Sequence, residues 1–296
     1  MREHLLDPNI LSTVSNFPLL ARTVVEGFIA GLHRSLFHGF GSEFVQYRDY
    51  VPGDDPKYID WKVYARQDSL QMKIFQEETN TNVYIVLDCS ASMAYDGGTG
   101  MSKMRYGSII AACLSYLISR QGDNVGFSAY NSDLICNIKP GHRSGQVHQI
   151  CTQLARLEAG GVCEHRKIFN MLGESFNRRG IVILISDFLD ADEAVRKGIS
   201  RFRFSHHDCI LFQVLDSHEL EFPFDNTVRF VDSENGDEII TAPEVVRERY
   251  LSAFTEYLEG FKGFCRETGI DCQRLSTKDP LATALAAYLH RREQIH

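Results

Sequence analysis

No surplus of positive charge is available to meet a phosphate backbone: 31 Lys and Arg stand against 39 Asp and Glu, a net charge of -8. A nucleic-acid partner is therefore not expected, because such binding rests on basic groups displacing counterions. Long apolar runs are also missing. The greasiest stretches, Val83 to Leu87 and Ile181 to Ile185, fall far short of the roughly 20 residues that span a bilayer, so no transmembrane segment is expected. Eight cysteines occur without a CxxC pair or a zinc-finger spacing, and no secretory leader pattern precedes them. Together these absences predict reduced thiols in a cytoplasmic protein, peripheral to a membrane only through a partner.

Several catalytic signatures are absent as well. The stretch GGTGMSKM lacks G-x-x-x-x-G-K-[ST], which places Lys103 in the first turn of a surface helix and not in a phosphate loop. Neither GFSAY nor GHRSG completes the G-x-S-x-G elbow of a serine hydrolase. With no internal repeat and no low-complexity tract, the 296 residues, 44% hydrophobic and 24% charged, suffice for one large domain or two small ones.

What is present falls into two regions, 1–80 and 81–296. Apolar residues from Ile10 to Leu32 recur at three- and four-residue steps, interrupted at Pro18, and predict one kinked helix or two short ones whose stripe packs on the protein's own core. Residues 35–80, rich in Gly, Pro and both charge signs, predict a small β-rich subdomain packed on the main domain. From residue 82 short apolar runs alternate with helical ones. VYIVLD, NVGFSAY, IVILISD, CILFQVLD and DCQRL are strands, and segments near 102–120, 144–157, 165–177, 191–204 and 243–268 are helices. That alternation predicts an α/β fold, a doubly wound and mainly parallel sheet, with an N-terminal helical and β-rich extension.

Ligands of such sheets bind beyond the carboxyl ends of the strands. VYIVLD and IVILISD both end there, on Asp88 and Asp187, and Ser90 and Ser92 follow the first at alternate positions. Two carboxylates and two hydroxyls are hard oxygen donors of the kind Mg2+ accepts. The same side chains could instead cap turns and helices, which leaves a metal-free scaffold open. A magnesium-dependent phosphoryl-transfer enzyme with Asp88 as nucleophile is a further alternative, weakened because Ser90 stands where a second carboxylate should act as acid and base.

The D-x-S-x-S stretch with the later ISD resembles the metal-ion-dependent adhesion site of von Willebrand factor A domains. The block from Arg48 to Lys62, R-x-Y-x-P-G-D-D-x-x-x-I-D-W-K, resembles the signature of the bacterial family known as domain of unknown function fifty-eight. That resemblance implies a sheet of von Willebrand factor A type, no catalytic activity, and partnership with a MoxR-type AAA+ ATPase in a chaperone-like or assembly role. It also implies a threonine ligand after a Gly-Gly turn. Here the turn reads AGGVCEHRK, so Val162 or Cys163 takes that place, and Cys163 or Glu164 could stand at or behind the metal. In the upstream block, Pro52, Gly53, Asp54 and Asp55 predict a turn. Arg48, Asp60, Lys62 and Arg66 are expected to pair across it, with Trp61 as packing anchor; the alternative is a docking surface for the ATPase.

Overall fold

The computed structural model describes residues 16–32, 46–49, 61, 63–64, 70–74 and 81–293. Two compact units are present, one made of residues 1–29 with 81–296 and the other of residues 30–80. The first N-terminal helix thus groups with the large unit and not with the β-rich segment that follows it.

Helix α1 (Phe17–Leu32) carries Pro18 in its first turn, at the position where the spacing predicts an interruption. Asn16 caps it, its Oδ1 accepting the Leu19 N–H at 3.1 Å, and proline is tolerated in a first turn because its missing N–H has no intrahelical role there. Phe17, Leu20, Ala21, Val24, Val25 and Phe28 form its buried stripe. The Arg105 guanidinium lies 4.4 Å above the Phe17 ring, so the stripe faces the protein's own body, as the spacing predicts. In the smaller unit, β1 (Gln46–Asp49) pairs antiparallel with β2 (Gln71–Ile74). Trp61 is 59% exposed, its ring edge-on to Tyr64 at 6.1 Å. Arg48 lies in β1, where it pairs with Met72, and Pro52, Gly53, Asp54, Asp55, Asp60, Lys62 and Arg66, like Ile10 to Ser15, lie outside the described residues.

The large unit is built on β3 (Asn82–Asp88), β4 (Asn124–Tyr130), β5 (Leu134–Gly141), β6 (Gly180–Ser186), β7 (Asp208–Leu215) and β10 (Asp271–Ser276). The sheet order is β10-β7-β6-β3-β4-β5, all parallel except the edge strand β5, which meets β4 antiparallel. Helices α2 (Lys103–Arg120), α3 (Gln146–Leu154), α4 (His165–Ser175), α5 (Glu193–Phe204), the short α6 (Ser217–Glu221), α7 (Pro243–Glu267) and α8 (Ala282–Glu293) connect the strands. Between β7 and α7 the chain forms a hairpin, β8 (Val228–Val231) and β9 (Glu238–Thr241), turned by Asp232 and by Gly236 at φ +78°.

The central strands are buried on both faces, hence their uninterrupted Val, Ile and Leu. Tyr84, Val86, Val182 and Leu184 pack with Ile168, Phe169 and Leu172 of α4 and Val195, Ile199 and Phe202 of α5. Leu87 and Ile185 point the other way, to α2, where Gly107 brings the helix backbone close to both. The chain lays β4 and β5 to one side of β3 and then returns to place β6 on the other. The β3–β6 boundary is therefore the topological switch point, where the strand ends leave a crevice. Among the described residues no helix is long and apolar enough to cross a membrane.

Candidate functional site

Strand register brings the two aspartates to one edge. Leu87 pairs with Ile185, so Asp88 ends β3 level with Ser186, and Asp187 stands one residue further along the chain. Successive residues of a strand face opposite ways, so that single step separates the two carboxylates' surroundings. Asp88 continues the row of Tyr84 and Val86 toward α4. Asp187 turns toward α2.

On the α4 side, Asp88 is fully buried. Its Oδ1 accepts the Ser90 N–H at 2.8 Å, and its Oδ2 accepts the Ser186 hydroxyl at 2.6 Å. The loop after β3 is tied to the Gly-Gly turn: Ala91 N–H donates to the Gly161 carbonyl and Gly160 N–H to the Cys89 carbonyl, both at 2.9 Å. Gly161, at φ +78°, reverses the chain there. This places Cys163 with its Sγ 3.6 Å from Asp88 Oδ2. His165, the first residue of α4, sets its Nε2 3.8 Å from the same oxygen and pairs its Nδ1 with the Tyr130 hydroxyl at 2.8 Å. Val162 is exposed, and Glu164 also faces solvent, its backbone N–H donating to the Asn131 carbonyl and its carbonyl accepting the Ile168 N–H. Ser90 and Ser92 place their hydroxyl oxygens 3.2 Å apart.

Charges on this side are strongly perturbed. Burial raises the Asp88 pKa, with repulsion from Asp187 adding to it, against the lowering effects of His165 and the Ser186 hydroxyl. Burial opposes a charged His165, but Asp190, Asp88 and Asp187 outweigh it and raise its pKa. The Cys163 thiol is pushed well up by burial and by Asp88, Asp190 and Asp187. Asp190 Oδ1 lies 3.1 Å from His165 Nε2 as an ion pair, yet Nε2 has no hydrogen-bond partner, so the attraction is one of charge.

On the α2 side, Asp187 does not stand free. Lys103, expected on a surface, is completely buried, its Nζ 2.7 Å from Asp187 Oδ2 and 2.6 Å from Glu219 Oε1. It occupies the first turn of α2 as predicted, but that turn points inward, capped by Ser102 accepting the Arg105 N–H at 3.1 Å. Glu219 also closes a capping box on α6, its Oε2 accepting the Asp216 N–H at 2.7 Å. Burial lowers the Lys103 pKa, but the two carboxylates overcome this and raise it. The Glu219 pKa is also raised, because its burial costs more than its share of a single ammonium returns. The lysine therefore stays charged, and two carboxylates divide one cation. After Asp187, Phe188 sits at φ +51°, a conformation unusual for a bulky residue, fixed by its N–H to the Ser186 hydroxyl oxygen and its carbonyl to the Tyr257 hydroxyl.

Both sides open on one cleft of about 680 Å³, lined by Ser90, Ser92, Lys103, Cys163, Asp187, Asp190, Glu219 and the Val231–Glu234 hairpin tip. Among the described residues, one cluster of potential ligand atoms lies within 4.8 Å of one another, that of Asp88, Cys163 and His165. Asp187 is outside it. The donors fit a divalent cation, but they do not match the all-oxygen set that Mg2+ prefers: Asp187 is engaged by an ammonium, and a thiol and an imidazole flank Asp88. His165, Lys103, Ser186 and Glu219 are the residues sequence reasoning missed. Of these only His165 carried a signal, through the Cys163-x-His165 spacing in the segment already singled out.

The family model described as Protein of unknown function DUF58 matches residues 46–258. The chain belongs to that family. Family membership accounts for the Arg48 to Lys62 block, all of which the match includes. Uncharacterized protein Rv1480 of Mycobacterium tuberculosis (strain ATCC 25618 / H37Rv) is 27% identical over 242 residues, covering 80% of this chain and 74% of the relative. Uncharacterized protein Mb1516 of Mycobacterium bovis gives the same identity and coverage. Among solved structures, conserved hypothetical protein BatB from Bacteroides thetaiotaomicron is similar at a TM-score of 0.49 and 12% identity, covering 72% of this chain and 99% of that one. An aerotolerance-related membrane protein from Bacteroides fragilis is similar at 0.49 and 14%, with the same coverage.

Proposed function

We propose that this chain is a non-enzymatic protein–protein interaction module with an adhesion-type cation site at the β3–β6 switch point. Its partner would be a MoxR-type AAA+ ATPase or that ATPase's client, in the assembly or maturation of protein complexes. One observation carries the reading: Ser90 and Ser92, held next to buried Asp88 at the end of β3, line an open cleft whose wall is carboxylate-rich, with Asp187, Asp190, Glu219 and Glu234. A partner's acidic side chain would be repelled from such a wall unless a cation lay between them, and the likeness of D-x-S-x-S to adhesion sites of von Willebrand factor A domains supports that arrangement. When bound, a divalent ion would supply positive charge on the Asp88 side, where the Lys103 ammonium, shared between Asp187 and Glu219, does not reach. Asp88 would hold it, and Ser186 and the Ser90 N–H would hold Asp88.

A non-enzymatic role is supported by the state of Asp88. Both its oxygens already accept hydrogen bonds from the protein and its side chain is buried, so it is poorly placed for in-line attack on a phosphoryl group. The test is calorimetric binding of the full chain to the MoxR-type ATPase of the same organism, with divalent cation and with chelator. Binding that weakens at least tenfold in chelator and in Asp88→Ala supports the reading. Equal affinity in all three conditions removes the cation from docking, and phosphoester turnover lost in Asp88→Asn would replace the module with an enzyme.

A further inference from the structure

We infer that Asp88, Cys163 and His165 form a binding site for a borderline-soft divalent ion of the zinc class. The three donors come from the end of β3, the Gly-Gly turn and the first residue of α4, so the fold and not local sequence assembles them.

The spacing suits a tetrahedral centre. Bonds of about 2.0–2.2 Å to oxygen, about 2.0–2.1 Å to imidazole and about 2.3 Å to sulfur give edges of roughly 3.3–3.6 Å between ligand atoms. Sulfur and carboxylate oxygen lie 3.6 Å apart, and imidazole nitrogen and the same oxygen 3.8 Å. The third edge, imidazole nitrogen to sulfur, lies within 4.8 Å, so closing around an ion draws those two ligands together by up to about an ångström, within the freedom of a side chain.

A second, independent observation points to a ligand. The His165 side chain is 1% exposed, and its buried Nε2 makes no hydrogen bond, its near neighbours being two carboxylate oxygens, Asp190 Oδ1 at 3.1 Å and Asp88 Oδ2 at 3.8 Å. Leaving such an atom unpaired costs about 1–3 kcal/mol, so most buried groups avoid it. Its other nitrogen is paired with the Tyr130 hydroxyl, which fixes the ring with Nε2 turned toward Asp88 Oδ2 and Asp190 Oδ1. Ligating histidines and carboxylates are commonly braced in this way from behind, here by Tyr130 and by Ser186. The cleft reaches Cys163, which gives an ion its path inward, and three protein ligands leave a fourth position for water or a partner's carboxylate.

Binding replaces the Cys163 S–H bond with a metal–sulfur bond and sends that proton to solvent; an imidazolium at His165 would release a second proton. The neighbouring carboxylates that keep the thiol protonated then become counter-charges to the dication. The competing arrangement is a permanent His165 imidazolium held by Asp88 and Asp190, with no affinity for metal. This inference deepens the preceding reading by naming the ion, and rests on that reading only for the ion's use in docking.

The test uses the isolated full chain with Zn2+ and Co2+ alone as probes. Expected are one equivalent of Zn2+ bound with proton release, no displacement by a large excess of Mg2+, and a sulfur-to-cobalt charge-transfer band. Cys163→Ser should abolish the band and His165→Gln should weaken Zn2+ binding by more than the roughly 10–100-fold typical of losing a supporting outer-shell partner, both with unchanged circular dichroism, whereas Cys136→Ser should leave binding intact. Absence of Zn2+ binding, or a band that survives Cys163→Ser, would overturn the assignment. Because no partner is present, these outcomes are separate from those of the docking experiment.

Discussion

Replacing Lys103 with methionine keeps the length and apolar stem of the side chain and deletes only its charge. The two carboxylates it serves stay behind, Asp187 at 4% and Glu219 at 16% side-chain exposure. Removing one member of a buried ion group costs about 3–5 kcal/mol, because the remaining charge has lost its water and gained nothing in return. Glu219 borders the cleft and recovers some hydration, which favours the lower half of that range. For a body of this size about 3–4 kcal/mol corresponds to a fall in Tm of roughly 6–15 °C. Urea unfolding of Lys103→Met should show a lower midpoint with an unchanged slope. Adding Asp187→Asn should restore much of the loss, since only the partly hydrated Glu219 is then uncompensated. A single variant within about 1 kcal/mol of the parent, or a double variant no better than the single one, would mean that the lysine is not the counter-charge the geometry makes it.

Gly180→Ala would place a Cβ 2.0 Å from the Asn82 carbonyl oxygen, a backbone atom of the neighbouring strand, and should cost about 3 kcal/mol or more by chemical denaturation; a neutral result would refute the tight β3–β6 approach. Ser186→Ala removes the hydroxyl that donates to buried Asp88 and should cost about 1.5–3 kcal/mol, with a further upward shift of the carboxyl titration followed by NMR. His207 is buried against Tyr84 and Phe176, and burial lowers its pKa. Its contribution to stability is therefore complete above the ordinary histidine value near about 6.5 and is lost as pH falls through the lower folded-state value. In His207→Phe, melting temperature followed across acid pH should decline less steeply than in the parent; parallel curves would show that this imidazole is not the group responsible.

The sheet was legible in the sequence because buried parallel strands leave a signature that few other elements share. Val83 to Leu87 and Ile181 to Ile185 could scarcely be anything else, and both carry an aspartate at the end that faces the crevice. The helices were bounded to within a few residues by their periodicity, and α7 began at its proline as read. What the sequence did not disclose was direction. Asp88 and Asp187 look equivalent in a list of residues, and only the register of Leu87 on Ile185 shows that they serve opposite faces of the sheet. Lys103 was misjudged for a related reason. A lysine in a first turn is usually solvated, and nothing local announces two carboxylates arriving from 84 and 116 residues away. His165 was passed over because ligand spacing was sought within cysteine motifs, whereas its companion Asp88 belongs to another strand.

The buried ammonium between β6 and α6 has a practical consequence. Half of the crevice is neutralised by a covalent part of the chain, which no chelator can extract and no change of metal supply can exchange. Stripping ions from the molecule should leave that side standing. A loss of adhesion in chelating buffer could then be read as a missing bridge and not as a collapsed scaffold.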